Sequence, residues 1–322
     1  MKRIYRDVII TIVLVAVIPA LLFGASPSEN LDDICDETTT DPMNAEAIPE
    51  VVTLLHADGR IRKIQMEEYV LGVVLMEMPA SFEMEALKAQ SVVARTYAIK
   101  REKGNMKHQE ANLCTDPKCC QGYCTTDEYL SMGGSFADIQ KVQKAVSDTA
   151  GEVITYEKEL IDATYFSCSG GITEDAEAVW GQDVPYLQSV TSPGEENATH
   201  FTDTVTIPFD DFQFLLGQKL TGKPNTWIKD VRYTNGDGVA TLKLEGVTYT
   251  GTEFRQKLGL RSTAFEIRMT DNAVVITTKG YGHRVGMSQY GADAMAASGS
   301  SYKEIIQHYY VGTEITTYSH ND

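Results

Sequence analysis

A single carboxylate, Glu77, stands in the apolar run Tyr69-Val70-Leu71-Gly72-Val73-Val74-Leu75-Met76-Glu77-Met78-Pro79. Pro79 cannot continue a helix and restricts the residue before it, so the run reads as a helix over 67–78 that stops at the carboxylate. Glu77 follows Val73 and Val74 by four and three residues and shares their face. Apolar neighbours and the negative end of a helix dipole both favour the protonated carboxyl, which is the state a general acid needs near neutral pH. The same pattern also suits a helix-terminal glutamate that simply points to water.

Three other groupings carry chemistry. His108, Cys114 and Cys120 are evenly spaced by six, and a short loop can wrap such mixed nitrogen and sulfur donors around zinc. Water, substrate, Cys119 or Cys124 is available as the fourth donor. One or two disulfides are the rival reading, natural in an exported chain. The segment Ser167-Cys168-Ser169-Gly170-Gly171 follows a strand, and its hydroxyls and bare amides suit an amide-bearing, hydroxyl-rich ligand such as an amino sugar. A mere turn has the same glycines. The segment Gly280-Tyr281-Gly282-His283-Arg284-Val285-Gly286 demands unusual backbone and presents His283 ahead of a helix start bearing Ser288, Gln289 and Tyr290.

Elements that must position these groups are legible in outline. Val51–His56 and Arg60–Ile64 form a hairpin around Asp58-Gly59. Ser81 offers an N-cap to a helix over 82–100, where Ala86, Ala89, Ala94 and Ala98 imply close packing on the Glu77 helix. Lys88 and Arg95 lie seven apart on that helix, hence on nearly one face, either as a ligand-facing pair or as a solvated stripe. A Cys-rich loop spans 104–135, and strands 152–156 and 161–167 follow it. From 204 to 270 a helix at 209–219 and strands near 227–233, 239–243 and 246–249, with the turn Asn235-Gly236-Asp237-Gly238, read as a small α+β subdomain. The core, 51–203 and 271–322, resumes with a strand over 273–278 and helices near 288–298 and 301–310. The fold class expected is α+β.

The N-terminus bears on compartment. Lys2, Arg3 and Arg6 precede an eighteen-residue apolar run from Val8 to Ala25. That is just enough to span a bilayer, and Phe23 makes cleavage after Ala25 a poor signal-peptide site. We therefore expect a membrane anchor over 1–25 with the body outside; a cleaved signal peptide exports the body equally. Residues 26–50 hold eight acidic residues, three prolines and no Lys or Arg, and read as an acidic tether carrying Cys35. A formal charge of −17 without a basic stripe argues against nucleic acid as partner.

Three blocks together resemble the family of stage II sporulation protein D. They are Glu68-Tyr69-Val70 through Glu77-Met78-Pro79 with Glu85-Ala86-Leu87-Lys88-Ala89-Gln90 and Ala94-Arg95-Thr96-Tyr97; Tyr165 through Gly171 with Val179-Trp180-Gly181 and Pro185-Tyr186-Leu187; and Gly280 through Ala292. The resemblance runs over roughly residues 51–315. It implies a lytic transglycosylase that cuts between N-acetylmuramic acid and N-acetylglucosamine in peptidoglycan stripped of stem peptides, during engulfment of the forespore. It further implies stage II sporulation proteins P and M as partners, a mother-cell membrane location facing the intermembrane space, Glu77 as the catalytic acid, and a zinc ion on His108, Cys114 and Cys120. Lys88, Arg95 and Tyr97, with Ser167, Ser169, Gly170, His283, Ser288, Gln289 and Tyr290, are the substrate-binding candidates. Two departures stand out. Cys168 replaces a usual Thr and is expected to alter a sugar contact, and Arg284 replaces a usual Gly, so no glycine-only backbone is expected there. The rival reading is a scaffold that holds glycan and stimulates a partner amidase without cutting; a purely adhesive protein is the third.

Overall fold

The computed structural model describes residues 51–318 except Asn105 and His200. The apolar run, the acidic segment and Cys35 lie outside the described residues, and among these no helix is long and apolar enough to cross a membrane.

Strands β1 (Val51–Leu55) and β2 (Ile61–Gln65) form the expected antiparallel hairpin. Helix α1 (Met66–Glu77) is apolar nearly all round and buries Tyr69, Val70, Val73 and Val74. Each such aliphatic side chain contributes roughly 1.5–3 kcal/mol when fully removed from water. The helix ends because Met78, ahead of Pro79, takes an extended backbone. Helix α2 (Met84–Lys103) starts later than expected: Glu83 is its N-cap, without a side-chain bond, and Ser81 does not cap it. Ala86, Ala89, Ala94 and Ala98 are fully buried. Their small side chains let α2 run through the centre of the core against α1.

The Cys-rich segment is more ordered than a loop. It carries β3 (Leu113–Cys114), which adds in parallel to β1, and α3 (Thr126–Ser131), started by a Thr125/Glu128 capping box. Helix α4 (Phe136–Asp148), with a Ser135/Asp138 box, packs on α1 and α2. Next come β4 (Glu152–Tyr156), β5 (Glu159–Leu160), β6 (Tyr165–Phe166) and the short α5 (Ala176–Trp180).

A second hydrophobic core follows. It is built from β7 (Thr202–Pro208), α6 (Phe209–Leu216), β8 (Ile228–Tyr233), β9 (Val239–Leu244), β10 (Val247–Thr250), α7 (Gly251–Leu258), β11 (Phe265–Met269) and β12 (Ala273–Lys279). Sheets in the orders β10-β9-β8 and β11-β12-β7 enclose Phe212, Leu242, Phe254, Val274 and Ile276. The turn at 235–238 joins β8 to β9 as expected. Strand β12 corrects the boundary: it pairs with β7 and β11, so it belongs to this subdomain and not to the core. Its partner β7 is distant in sequence, and local pattern cannot reveal such a pairing.

The chain returns to the core through β13 (Met287–Ser288), parallel to β6, then α8 (Gln289–Ala297), α9 (Tyr302–Tyr309) and β14 (Glu314–Thr317), which pairs with β4. Helices α8 and α9 also pack on α2. The architecture is mixed helix and strand, α+β.

Candidate active site

Where α1 ends, a cleft of about 800 Å³ opens between the end of the Cys-rich segment, strand β6 and the start of α8. Glu77 is half-buried and lines it. The main-chain N–H of Gly122 donates to Glu77 Oε1. A Cβ at position 122 would meet that oxygen at 2.8 Å, so only glycine allows this approach. Burial pushes the Glu77 carboxyl above its ordinary range, against the Gly122 N–H and the Tyr165 hydroxyl, which both pull it down. The Tyr165 hydroxyl faces the carboxyl without regular hydrogen-bond geometry, and has no other partner among the described residues. Glu77 is the one carboxylate lining the cleft among the described residues, whereas Arg101, Lys107 and Lys118 all reach it.

Of the expected substrate residues, Tyr97, Ser167, His283, Gln289 and Tyr290 line this cleft with Glu77. Gln289 Nε2 donates to the Glu77 main-chain oxygen at 3.1 Å, which ties the start of α8 to the end of α1. The His283 ring packs edge-on against Phe166 and tilted against Trp180, with centroids 5.6 and 5.4 Å away, and its Nδ1 accepts from the Val285 N–H. Burial, and then the nearby Arg255, push His283 down to about 4, so it is a neutral ring at physiological pH.

Lys88 and Arg95 are corrected: neither lines the cleft. Arg95 is fully buried and forks onto Glu67 at 2.8 and 2.6 Å, with a further bond to the Glu152 carbonyl. Lys88 bridges Glu85 at 2.9 Å and Asp148 at 3.3 Å. These cations fasten the helices, and burial alone is what prevails at Glu77.

Ser169, Gly170 and Ser288 are likewise redirected. The N–H groups of Ser169, Gly170 and Gly171 all donate to the buried Glu195, at 3.1, 2.8 and 3.1 Å. The Ser169, Ser192 and Ser288 hydroxyls donate to it as well. Glu195 therefore consumes the bare amides that were expected to face a sugar. Ser288 also caps α8. Cys168 is buried against Glu195, with its thiol pushed up to about 12 by burial first, so it makes no sugar contact. Arg284 adopts φ +69°, the left-handed backbone a glycine favours. Its buried guanidinium holds Glu174 at 3.3 Å and donates to the carbonyls of Ser169 and Ile172, which stabilises a conformation otherwise unfavourable by roughly 1–2 kcal/mol.

His108, Cys114, Cys119 and Cys120 bring their donor atoms within 4.8 Å of one another. Cys119 Sγ and Cys120 Sγ lie 3.8 and 3.6 Å from His108 Nε2. Tetrahedral zinc with bonds of about 2.0–2.3 Å sets its ligands roughly 3.4–3.8 Å apart, so spacing and donor type fit that ion. Cys124 is outside the group, against the Gly72 carbonyl. The described cysteines form no disulfide. Burial pushes the Cys114 thiol up to about 12; a bound cation is what would hold it as thiolate. Cys119 and Cys120 also line the cleft, so the cluster braces its wall.

Sequence reading did not single out Gly122, Glu195 or the three cleft cations, and it named Tyr165 and Gln121 only within blocks of the family resemblance, Gln121 in Cys120-Gln121-x-Tyr123. Tyr165 had a local signal, since it lies two residues before Ser167 on an extended segment and shares its side. Glu195 had none, for it meets the 169–171 loop only in the folded chain.

A family model described as "Stage II sporulation protein" matches residues 56–156. Stage II sporulation protein D of Bacillus amyloliquefaciens is 39% identical over 280 residues, covering 86% of this chain and 81% of that protein. Its Bacillus subtilis (strain 168) counterpart is 39% identical over 264 residues, covering 81% and 77%. An amidase enhancer of Bacillus subtilis is 30% identical over 302 residues, covering 77% of this chain and 40% of its own. Identity of this extent, reaching through the Glu77 cleft and the subdomain alike, makes the chain a member of the stage II sporulation protein D family.

Proposed function

We propose that the protein is a lytic transglycosylase of peptidoglycan, cutting between N-acetylmuramic acid and N-acetylglucosamine in strands freed of stem peptides. One observation carries the reading: the cleft holds a single carboxylate among the described residues, and burial keeps it inclined to hold a proton. Glycoside hydrolysis ordinarily uses two carboxylates flanking the bond. A lytic transglycosylase needs one. Glu77 gives its proton to the leaving glycosidic oxygen as the C1–O bond breaks. The resulting carboxylate then takes the proton of the muramic acid C6 hydroxyl as that oxygen bonds to C1, which leaves a 1,6-anhydro ring and restores the acid.

Arg101, Lys107 and Lys118 support the peptide-free substrate, since removal of the stem leaves a free lactyl carboxylate on each muramic acid. In a chain of net charge −17, a cleft with three cations and one half-buried acid favours an anionic strand. His108, Cys114 and Cys120, with Cys119, would hold zinc as a structural ion that fixes the cleft wall; the chemistry above takes no step through it. We place the activity in sporulation, at forespore engulfment. There the protein is membrane-anchored by residues 1–25, its body extracytoplasmic, in the mother-cell membrane facing the intermembrane space, with stage II sporulation proteins P and M as partners.

The likeness to an amidase enhancer favours a second reading, a scaffold that holds glycan and stimulates a partner amidase. Incubating the purified protein with peptide-free strands and identifying new chain ends by mass spectrometry separates the two. Anhydro-muramyl ends are expected. No new ends, with amidase stimulation that survives Glu77→Gln, would support the scaffold.

A further inference from the structure

With the 169–171 amides taken by Glu195, something else in the cleft must read the sugar's own amide. Gln121 directly precedes Gly122, the residue whose N–H holds Glu77. Its side chain is 1% exposed and lines the cleft, and neither Nε2 nor Oε1 has a hydrogen-bond partner among the described residues. Buried polar groups are nearly always bonded, because leaving them unmade forfeits their hydration without replacement. Here both ends of one planar amide are unmade, a donor and an acceptor side by side.

That pair is complementary to another amide. Oε1 accepts an N–H while Nε2 donates to a C=O, so a 2-acetamido group satisfies both. A lone carboxylate would satisfy Nε2 and set an anion against Oε1; the cleft already offers Arg101, Lys107 and Lys118 to such a group. Chain geometry agrees. The Gly122 N–H that fixes the acid lies in the peptide bond joining it to Gln121, and the Gln121 side chain branches from the adjacent Cα, about 3.8 Å from that of Gly122. In the substrate the acetamido group sits on C2, next to the C1 whose bond Glu77 acts on. We propose that Gln121 is the specificity-determining residue of the cleft, recognising the acetamido group of the sugar that contributes C1. The proposal rests on the glycan-cleaving reading and adds to it the feature of the sugar that is read.

The test compares full-length wild type, Gln121→Leu and Gln121→Met on peptide-free strands, N-acetylated or chemically N-deacetylated. Both variants are expected to lose kcat/KM on acetylated strands by on the order of tenfold to a hundredfold more than on deacetylated ones. Comparing losses cancels any effect of the new ammonium group on the cationic cleft. Thermal melting and bound-metal content verify that position 121 has not disturbed the neighbouring Cys120; if the Leu variant fails there, the near-isosteric and uncharged Met variant decides. Equal losses on the two strands would overturn the assignment. Should wild type cut neither strand, it is the cleavage reading that fails. Gln121 is then judged by binding: a wild-type preference for acetylated strands that Gln121→Leu abolishes upholds it, and an unchanged preference refutes it.

Discussion

The main-chain N–H of Gly122 donates to the Glu77 carboxylate, and a Cβ on residue 122 would stand 2.8 Å from Glu77 Oε1. A group that transfers a proton to a glycosidic oxygen must be held to within a fraction of an ångström, and this contact from the Cys-rich segment holds it. Gly122→Ala should leave the fold intact, since the clash falls on the end of a side chain, and yet lower kcat by about 10²-fold, the effect of an ångström-scale misplacement. Turnover together with thermal melting checks this; a variant with wild-type kcat contradicts the role given to the contact.

Burial raises the Glu77 pKa above its unfolded value. Between the two values the folded state keeps a proton that the unfolded state has lost, so stability falls as pH rises through that window. Glu77→Gln removes the titration. Its melting temperature should therefore gain on wild type between pH 5 and pH 8, by thermal scans at both. In wild type, kcat should decline on the alkaline side as Glu77 loses its proton. His283, already neutral above about 4, should add no inflection near pH 6–7.

Arg95 and Lys88 hold helices and do not reach the cleft. Arg95→Met strips a fully buried fork from Glu67 and should destabilise by about 3 kcal/mol, the low end for a buried pair because Glu67 is half open to solvent. For a body of this size that is roughly 6–12 °C in Tm. Lys88→Met, at a more exposed pair, should lower stability by about 1 kcal/mol or less. The folded fraction of each should keep cutting; a stable but inactive Arg95→Met would return that residue to the site.

Zinc on the His108 cluster predicts one equivalent of bound metal in protein purified without chelator, and loss of thermal stability when it is stripped. Cys120→Ser should abolish binding, whereas Cys119→Ser should weaken it about 10–100-fold if Cys119 is the fourth donor. Metal analysis with thiol counting reads both. Oxidised cysteines and no metal would contradict the assignment.

The cations of the cleft should show in salt dependence. Arg101→Glu should lower kcat/KM on peptide-free strands by about tenfold at low salt, with the gap closing as ionic strength rises. An effect that ignores salt would mean Arg101 acts otherwise.

Local physics explains what was legible in the sequence. Pro79 ends α1 beside Glu77, small residues mark the buried face of α2, and the 235–238 turn announces β8 and β9. What escaped depends on partners distant in sequence. The Ser169–Gly171 amides look free until Glu195 closes on them, and Arg95 looks available until Glu67 takes its fork. Strand β12 looks like core until β7 pairs with it. Arg284 looks incompatible with a left-handed backbone until Glu174 and the carbonyls of Ser169, Ile172 and Gly236 hold it there.

Most directly, the central claim concerns the proton on Glu77. Rates of anhydro-muramyl end formation by wild type and by Glu77→Gln, on the same peptide-free strands and at matched folded fraction, test it. We expect the variant to form these ends at least about 10³-fold more slowly while still binding the strands. A Gln variant that cuts at the wild-type rate would contradict the claim outright.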